Sequence, residues 1–299
     1  MSAKPAAAAT TLPPDHQPGS DAPFHISLGL ISGVYIVLLL GLLVADVAYM
    51  GLDDTAETVS LPLVLDWARP VLKPFLAIGA ALQKPEIRYA VKLTLVSCLI
   101  TALLSLFAAV PTAYMLSRKN FPGKNLLDAI LDIPIVLPPL VVGLSLLILF
   151  QFWPFRLLSR EIVFQVPAVV LAQFMVAAAF AVRVMRATFD QIDQRLEQVA
   201  LTLGCNESQA FWRIVLPQAG QGMLTAGTLA WARALGEFGP LLIFAGATRM
   251  KTEVLSTTVF LEMSIGNLEG AVAVSLLMVG CAVAVLVIAR VWGSRGLSL

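Results

Sequence analysis

YAVKLTLVSCLITALLSLFAAVPTAYML, residues 89–116, holds a single charged side chain, Lys92. A bilayer core of about 30 Å is crossed by a helix of about 20 mostly apolar residues. No water is present there to take up backbone N–H and C=O groups, so a run of this kind must be a helix. Five further runs share its character: Ile26–Met50, Leu127–Trp153, Val166–Val184, Gly222–Gly246 and Gly270–Ala289. The sequence therefore predicts an all-α integral membrane protein with six transmembrane helices and both termini on one side.

Composition agrees. Hydrophobic residues make up 58% of the 299 and charged residues only 13%, against about 45–50% and about 25% in a soluble domain. A net charge of +1 gives no reason to expect nucleic acid as a partner. Both histidines, His16 and His25, lie near the N-terminus, which removes most metallopeptidase and histidine-based catalytic options from the body of the chain. Cys98, Cys205 and Cys281 are far apart and read as small thiols, with no disulfide framework or metal set. No catalytic residue, bound cofactor or metal is expected.

Residues 1–24 are Ala/Pro/Ser-rich and aperiodic, a disordered tail. Ile26–Met50 is longer than the apolar core of a secretory signal, about 7–15 residues, and is preceded by Asp15 and Asp21 rather than basic residues. It reads as a retained span. Asp66, Arg69, Pro70, Lys73 and Pro74 interrupt Leu61–Leu82, which reads as an interfacial segment rather than a seventh span. With both ends cytoplasmic, ten Lys/Arg fall on the inner segments and eight on the outer, so charge alone orients the chain weakly.

The longest polar stretch after the tail is Arg186–Gly222. It reads as two short helices with a hinge: Gly204 ends the first in the left-handed conformation, Asn206 caps the second, and Pro217 marks the exit towards the next span. Ala210, Phe211 and Ile214 share one face of the second helix. Either the hairpin packs on its own spans, or it docks a soluble partner in the helix-in-groove mode.

At this loop the chain resembles the permease subunits of ATP-binding-cassette importers. Glu197, Ala200, Gly204 and the end of Ile214-Val-Leu-Pro217, with Leu216 and Pro217, match the family's Glu-Ala-Ala loop at its spacing, whereas Val199 and Leu201 depart from its commonest residues. Ser117-Arg-Lys-Asn-Phe-Pro-Gly123, Asp132-Ile-Pro-Ile-Val-Leu-Pro-Pro-Leu-Val-Val-Gly143, Arg233-Ala-Leu-Gly-Glu-Phe-Gly239 and Phe244-Ala-Gly246 resemble the molybdate/tungstate/sulfate branch. The resemblance implies a type I, MetI-like permease fold. It divides the chain into the tail 1–24, a first span and outer segment 25–88, a permease core 89–292 with coupling loop 187–221, and a short tail 293–299. It further implies a bacterial inner-membrane protein with cytoplasmic termini and a homodimer with a second copy of itself. Two ATPase subunits holding the ATP and Mg would sit on the Glu197–Pro217 loop, and an extracytoplasmic solute-binding protein on the other face.

Arg233 and Glu237, four residues apart within the fifth run, share a helix face. A charge at the bilayer centre costs at least about 2.5–3.5 kcal/mol, so they need pairing or a wet pathway. They form either a structural pair or, with Gly236 and Gly239, part of the translocation path. Pro134, Pro138 and Pro139 interrupt the third run, with Gly143 following, and shape either a pore wall or a helix contact. Asp128 and Asp132, four apart near the cytoplasmic end of the third run, read either as part of a gate or as partners in an interfacial salt bridge. An ion-driven secondary transporter would need isolated intramembrane acids, and only Glu237 qualifies. An intramembrane enzyme lacks its signatures, and the chain has no GxxxxGK[ST] phosphate loop.

Overall fold

The run at 89–116 forms the body of a 34-residue helix, α2 (Pro85–Arg118). It starts at Pro85, where a missing N–H costs nothing, and ends as Lys119 turns extended before Pro122 and Gly123. The computed structural model describes residues 22–52 and 78–295, and among them regular structure is entirely helical. Most of Leu61–Leu82 and of the two tails lies outside the described residues, while Ala22–Phe24 and Gly293–Arg295, expected in the tails, fall within the first and last helices. α1 (Ala22–Leu52) is apolar over Ile26–Ala48 and long enough to cross a membrane.

After α2 come α3 (Lys124–Val136) and α4 (Pro139–Leu149), then α5 (Val166–Gln191) and α6 (Gln194–Thr202). A helical stretch follows from short pieces: Glu207–Ala210, a π-helical turn Phe211–Val215 and Leu216–Gln218. α7 (Gly220–Leu235), a second π-helical turn (Leu241–Ala245), α8 (Leu255–Ser264) and α9 (Leu268–Arg295) complete the described chain.

The core is a close bundle of α2, α5 and α7. On α7, Gly222, Ala226, Ala230 and Ala234 recur every fourth residue, and the three alanines are fully buried. Ala177 and Ala181 of α5 and Ala102, Ala109 and Ala113 of α2 meet them. In a bilayer lipid tails are as apolar as leucine, so helices associate by backbone closeness, which small residues permit. A Cβ at Gly222 would stand 2.1 Å from Thr188 Oγ1. A second cluster joins Leu146 of α4 and its capping residue Phe150, Ala168 and Ala172 of α5, and Leu241 and Phe244.

Two of the six expected spans are not straight rods. The run Leu127–Trp153 is a helix pair bent by 113°. Leu137 and Pro138 are extended at the break (ψ 141 and 133), because each precedes a proline whose ring excludes the helical region for its neighbour. Pro134 sits inside α3 and does not break it. The run Gly222–Gly246 is split as well. α7 stops after 16 residues at Gly236, and Gly239-Pro240 precede the π-helical turn. Four helices among the described residues are long and apolar enough to cross a membrane, five with the bent pair. The fifth run, Gly222–Gly246, is present as two pieces.

Candidate functional site

The loop between α5 and α7 is built from backbone signals. Asp193 caps α6 by accepting from Arg195 N–H at 2.9 Å. Gly204 ends α6 with φ +91. Its N–H donates to Leu201 O at 3.1 Å and Cys205 N–H donates to Ala200 O at 3.0 Å, the paired bonds of a Schellman motif. Asn206 Oδ1 then accepts from Gln209 N–H, and Gln209 Oε1 accepts from Asn206 N–H, a reciprocal capping box. Pro217, which has no N–H to give, follows the π-helical turn, and the chain swings at Ala219 into α7.

Glu197 does not face solvent. Arg118 Nε at the end of α2 donates to its Oε1 at 2.6 Å, and Tyr114 OH donates to its Oε2 at 2.9 Å. Arg118 also donates to Ile192 O at 2.9 Å, fixing the loop's first residue. Both charged side chains are largely buried. Ala200 and Ala210 are buried as well, and Phe211 packs against Tyr114 with ring centres 4.7 Å apart and planes tilted by 60°. The face shared by Ala210, Phe211 and Ile214 thus turns inward onto the spans. Outward stand Leu203, 80% exposed, and Trp212, 63% exposed and edge-on to Phe211, with Leu196, Val199 and Leu201 also exposed. Leu216 is half-buried and Pro217 and Asn206 are exposed. Tyr114, Arg118, Leu203 and Trp212 escaped the sequence reading. A large apolar residue beside the glycine hinge was the one local signal available, at Leu203.

Nothing lies within 4 Å of a Cβ built at Gly204, so a side chain there meets strain, not collision. Holding an L-residue left-handed costs about 1–2 kcal/mol. Valine at 204 is expected to loosen α6 from the following turn and weaken any partner held by the loop, while membrane insertion stays normal. Protease sensitivity of the loop in otherwise intact membranes checks this, and an unchanged cleavage pattern would exclude the hinge role.

The second cluster lies where α4 crosses the end of α7. A Cβ at Gly143 would stand 2.7 Å from Pro240 Cα, and one at Gly239 would stand 2.9 Å from Leu140 N and 3.0 Å from Pro139 Cβ. Each broken helix thus presents a glycine to the other's proline. Pro134 lies within α3, Pro138 lies at the extended step before this crossing, and Pro139 belongs to it. Beside it Arg233 Nη1 is 2.6 Å from Glu237 Oε1. Glu237 is 1% exposed, whereas Arg233 is 29% exposed and lies 5.5 Å from the Phe180 ring centre. Gly236 is open. Ser256 donates to Glu237 O at 2.6 Å. Gln173 Nε2 donates to Ala234 O at 3.2 Å, satisfying a carbonyl of the last turn of α7, while Thr101 donates to Gln173 Oε1 at 3.2 Å. Asp128 and Asp132 pair with Arg186 and Arg183 of α5. Among the described residues no group of three or more His, Cys, Asp or Glu side chains is placed to hold a metal ion.

Comparison with known proteins places this arrangement. Residues 102–296 match the family described as binding-protein-dependent transport system inner membrane component. The molybdate/tungstate transport system permease protein WtpB of Pyrococcus abyssi is 35% identical over 187 residues, 62% of this chain and 72% of that protein. The sulfate transport system permease protein CysW of Synechococcus elongatus is 35% identical over 175 residues, 57% of this chain and 61% of that protein, so the match spans less than two thirds of the latter's length. A crystal structure of a bacterial ABC transporter involved in the import of the acidic polysaccharide alginate contains a chain that superposes with a TM-score of 0.68 at 17% identity. The match covers 92% of this chain and 96% of that one. At that identity the likeness is one of fold.

Proposed function

The chain belongs to the binding-protein-dependent transport system inner membrane components, and we propose that it forms the oxyanion pathway of an ATP-binding-cassette importer whose ATPase grips the 192–218 loop. The observation that carries this is the loop's division into a pinned inner side and a bare outer one. Arg118 and Tyr114 hold Glu197 against α2, while Leu203 and Trp212 are the most exposed of several apolar side chains, with Leu196, Val199 and Leu201, on the loop's outer side. Exposed large apolar groups rimmed by polar ones are the usual anchors of a protein partner. The loop therefore faces the cytoplasm, where ATP is, and both termini lie on that side.

In this reading Glu197 is the internal brace of the docking loop rather than its outward contact. The ATPase supplies the phosphate chemistry, and this chain supplies the path. A second copy of the same chain completes the pathway, and a solute-binding protein delivers ligand on the opposite face. Molybdate, tungstate and sulfate are the candidate cargo, on the strength of relatives named for each.

Serine at Leu203 or at Trp212 is expected to leave the subunit in the membrane and reduce ATPase retained on purification by about tenfold or more, the effect of losing an anchor worth about 1.4 kcal/mol. Full retention in both variants would refute the docking assignment. Two differently tagged copies that never co-purify would refute the homodimer. Titrating the cognate binding protein with molybdate, tungstate and sulfate separates the cargoes.

A further inference from the structure

α5 is an unbroken helix of 26 residues that runs to Gln191, two residues short of the docking loop's first cap at Asp193. Ser117 donates to Asp190 at 2.5 Å near that end. One turn further back, α5 carries Arg183 and Arg186, which hold Asp132 and Asp128 of α3 in antiparallel order. Arg183 Nε donates to Asp132 Oδ1 at 2.6 Å, and Arg186 also lies 3.9 Å from Asp190. α3 has no fully buried residue of its own. Its hold on the protein therefore rests on these two pairs and on the partly buried Leu131, Pro134 and Ile135. At its other end it is joined to α4 through the extended Leu137–Pro138 step. α4 is in turn locked at the Gly143–Pro240 crossing, where no side chain fits between the backbones.

We infer that the Asp128–Arg186 and Asp132–Arg183 pairs form the linkage that carries movement of the docking loop into the bent pair, swinging α3 about Leu137–Pro138 while α4 stays fixed. The inference rests on the docking role proposed above for the 192–218 loop. A stiff helix continuous with the loop, two polar clamps on a rod with little packing, and a proline step next to an immobile crossing are the parts such a linkage needs. Small shifts at one end become a discrete rearrangement when the element between them is hinged and the far side is rigid. The four side chains are positioning residues. The pairs are only partly buried, so their net contribution to stability is modest, and neutral variants should still fold and assemble.

The test uses the full transporter with its ATPase in vesicles. Cys98, Cys205 and Cys281 are replaced, and a single cysteine is placed at Val136, which is 80% exposed beside the hinge. Maleimide labelling is measured without nucleotide and with ATP and vanadate. The linkage predicts that nucleotide changes the labelling rate by about threefold or more. The D128N/D132N variant should lose the change while hydrolysing ATP, and D128E/D132E, which keeps both charges, should restore it. A nucleotide response that survives in D128N/D132N overturns the inference, as does no response in the unsubstituted pair with ATPase bound and active. If ATPase fails to co-purify with the parent protein, the docking reading itself falls and the linkage with it.

Discussion

Alanine at Gly143 is expected to be the most damaging single methyl addition to the far half of the bundle. The new Cβ would meet Pro240 Cα at 2.7 Å, Pro240 O at 3.0 Å and Ile243 Cβ at 3.2 Å. The first two are backbone atoms of a ring-locked residue, so neither can rotate away. Overpacking of this kind costs about 1–3 kcal/mol when neighbours can shift, and here they are the least able to do so. The G143A subunit should show a clearly lowered melting temperature in detergent and lose transport. Alanine at Gly239 should behave alike, since its Cβ would press on Leu140 N and Pro139. The two substitutions act on one crossing, so their combined cost should fall short of their sum. Gly236 is the control: an added Cβ meets only carbonyl oxygens at 3.9 Å, and alanine there should be tolerated. A G143A protein that melts with the parent would show that the crossing is looser than its geometry implies.

Removing Arg118 is the second large effect. The guanidinium is almost fully buried and holds both Glu197 and the Ile192 carbonyl. Breaking a buried pair by deleting one partner typically costs about 3–5 kcal/mol, because a charge is left behind without compensation. Glu197 retains some exposure, so about 3 kcal/mol is expected for R118A. The doubly substituted R118A/E197A protein should be less affected than R118A alone, because no orphaned carboxylate remains. Amide hydrogen exchange across 192–203 is the direct measurement, with faster exchange expected in R118A and partial recovery in the double variant. Equal exchange in parent and R118A would remove Glu197 from its role as a brace.

The spans were readable because a continuous apolar run has one solution in lipid. Gly204 and Asn206 were readable because the Schellman turn and the capping box are local, written in residues within a few positions of each other. The direction in which the loop faces was not local. Glu197 is oriented by Arg118 and Tyr114, 79 and 83 residues earlier in the chain, and no periodicity within the loop reports a partner so distant. For the same reason the face of Ala210 and Phe211 could be identified but not its side, while the outward residues Leu203 and Trp212 belonged to no pattern. In the spans, Pro138–Pro139 announced a break, but its 113° angle depends on what α3 and α4 each pack against. The split at Gly236 was hidden because Arg233 and Glu237 at four-residue spacing suit an unbroken helix equally well. Their pairing survives although the helix ends between them.

The empty space around Gly204 separates two demands that usually fall on the same residues. Its turn is held by the glycine's lack of a Cβ and by main-chain bonds alone, whereas the surface available to a neighbour lies chiefly on the side chains of Leu203 and Trp212, which take no part in those bonds. Shape and grip can therefore drift independently over evolutionary time. A permease built this way could retune itself to a diverging motor by exchanging outward side chains, with the corner on which they are mounted left untouched.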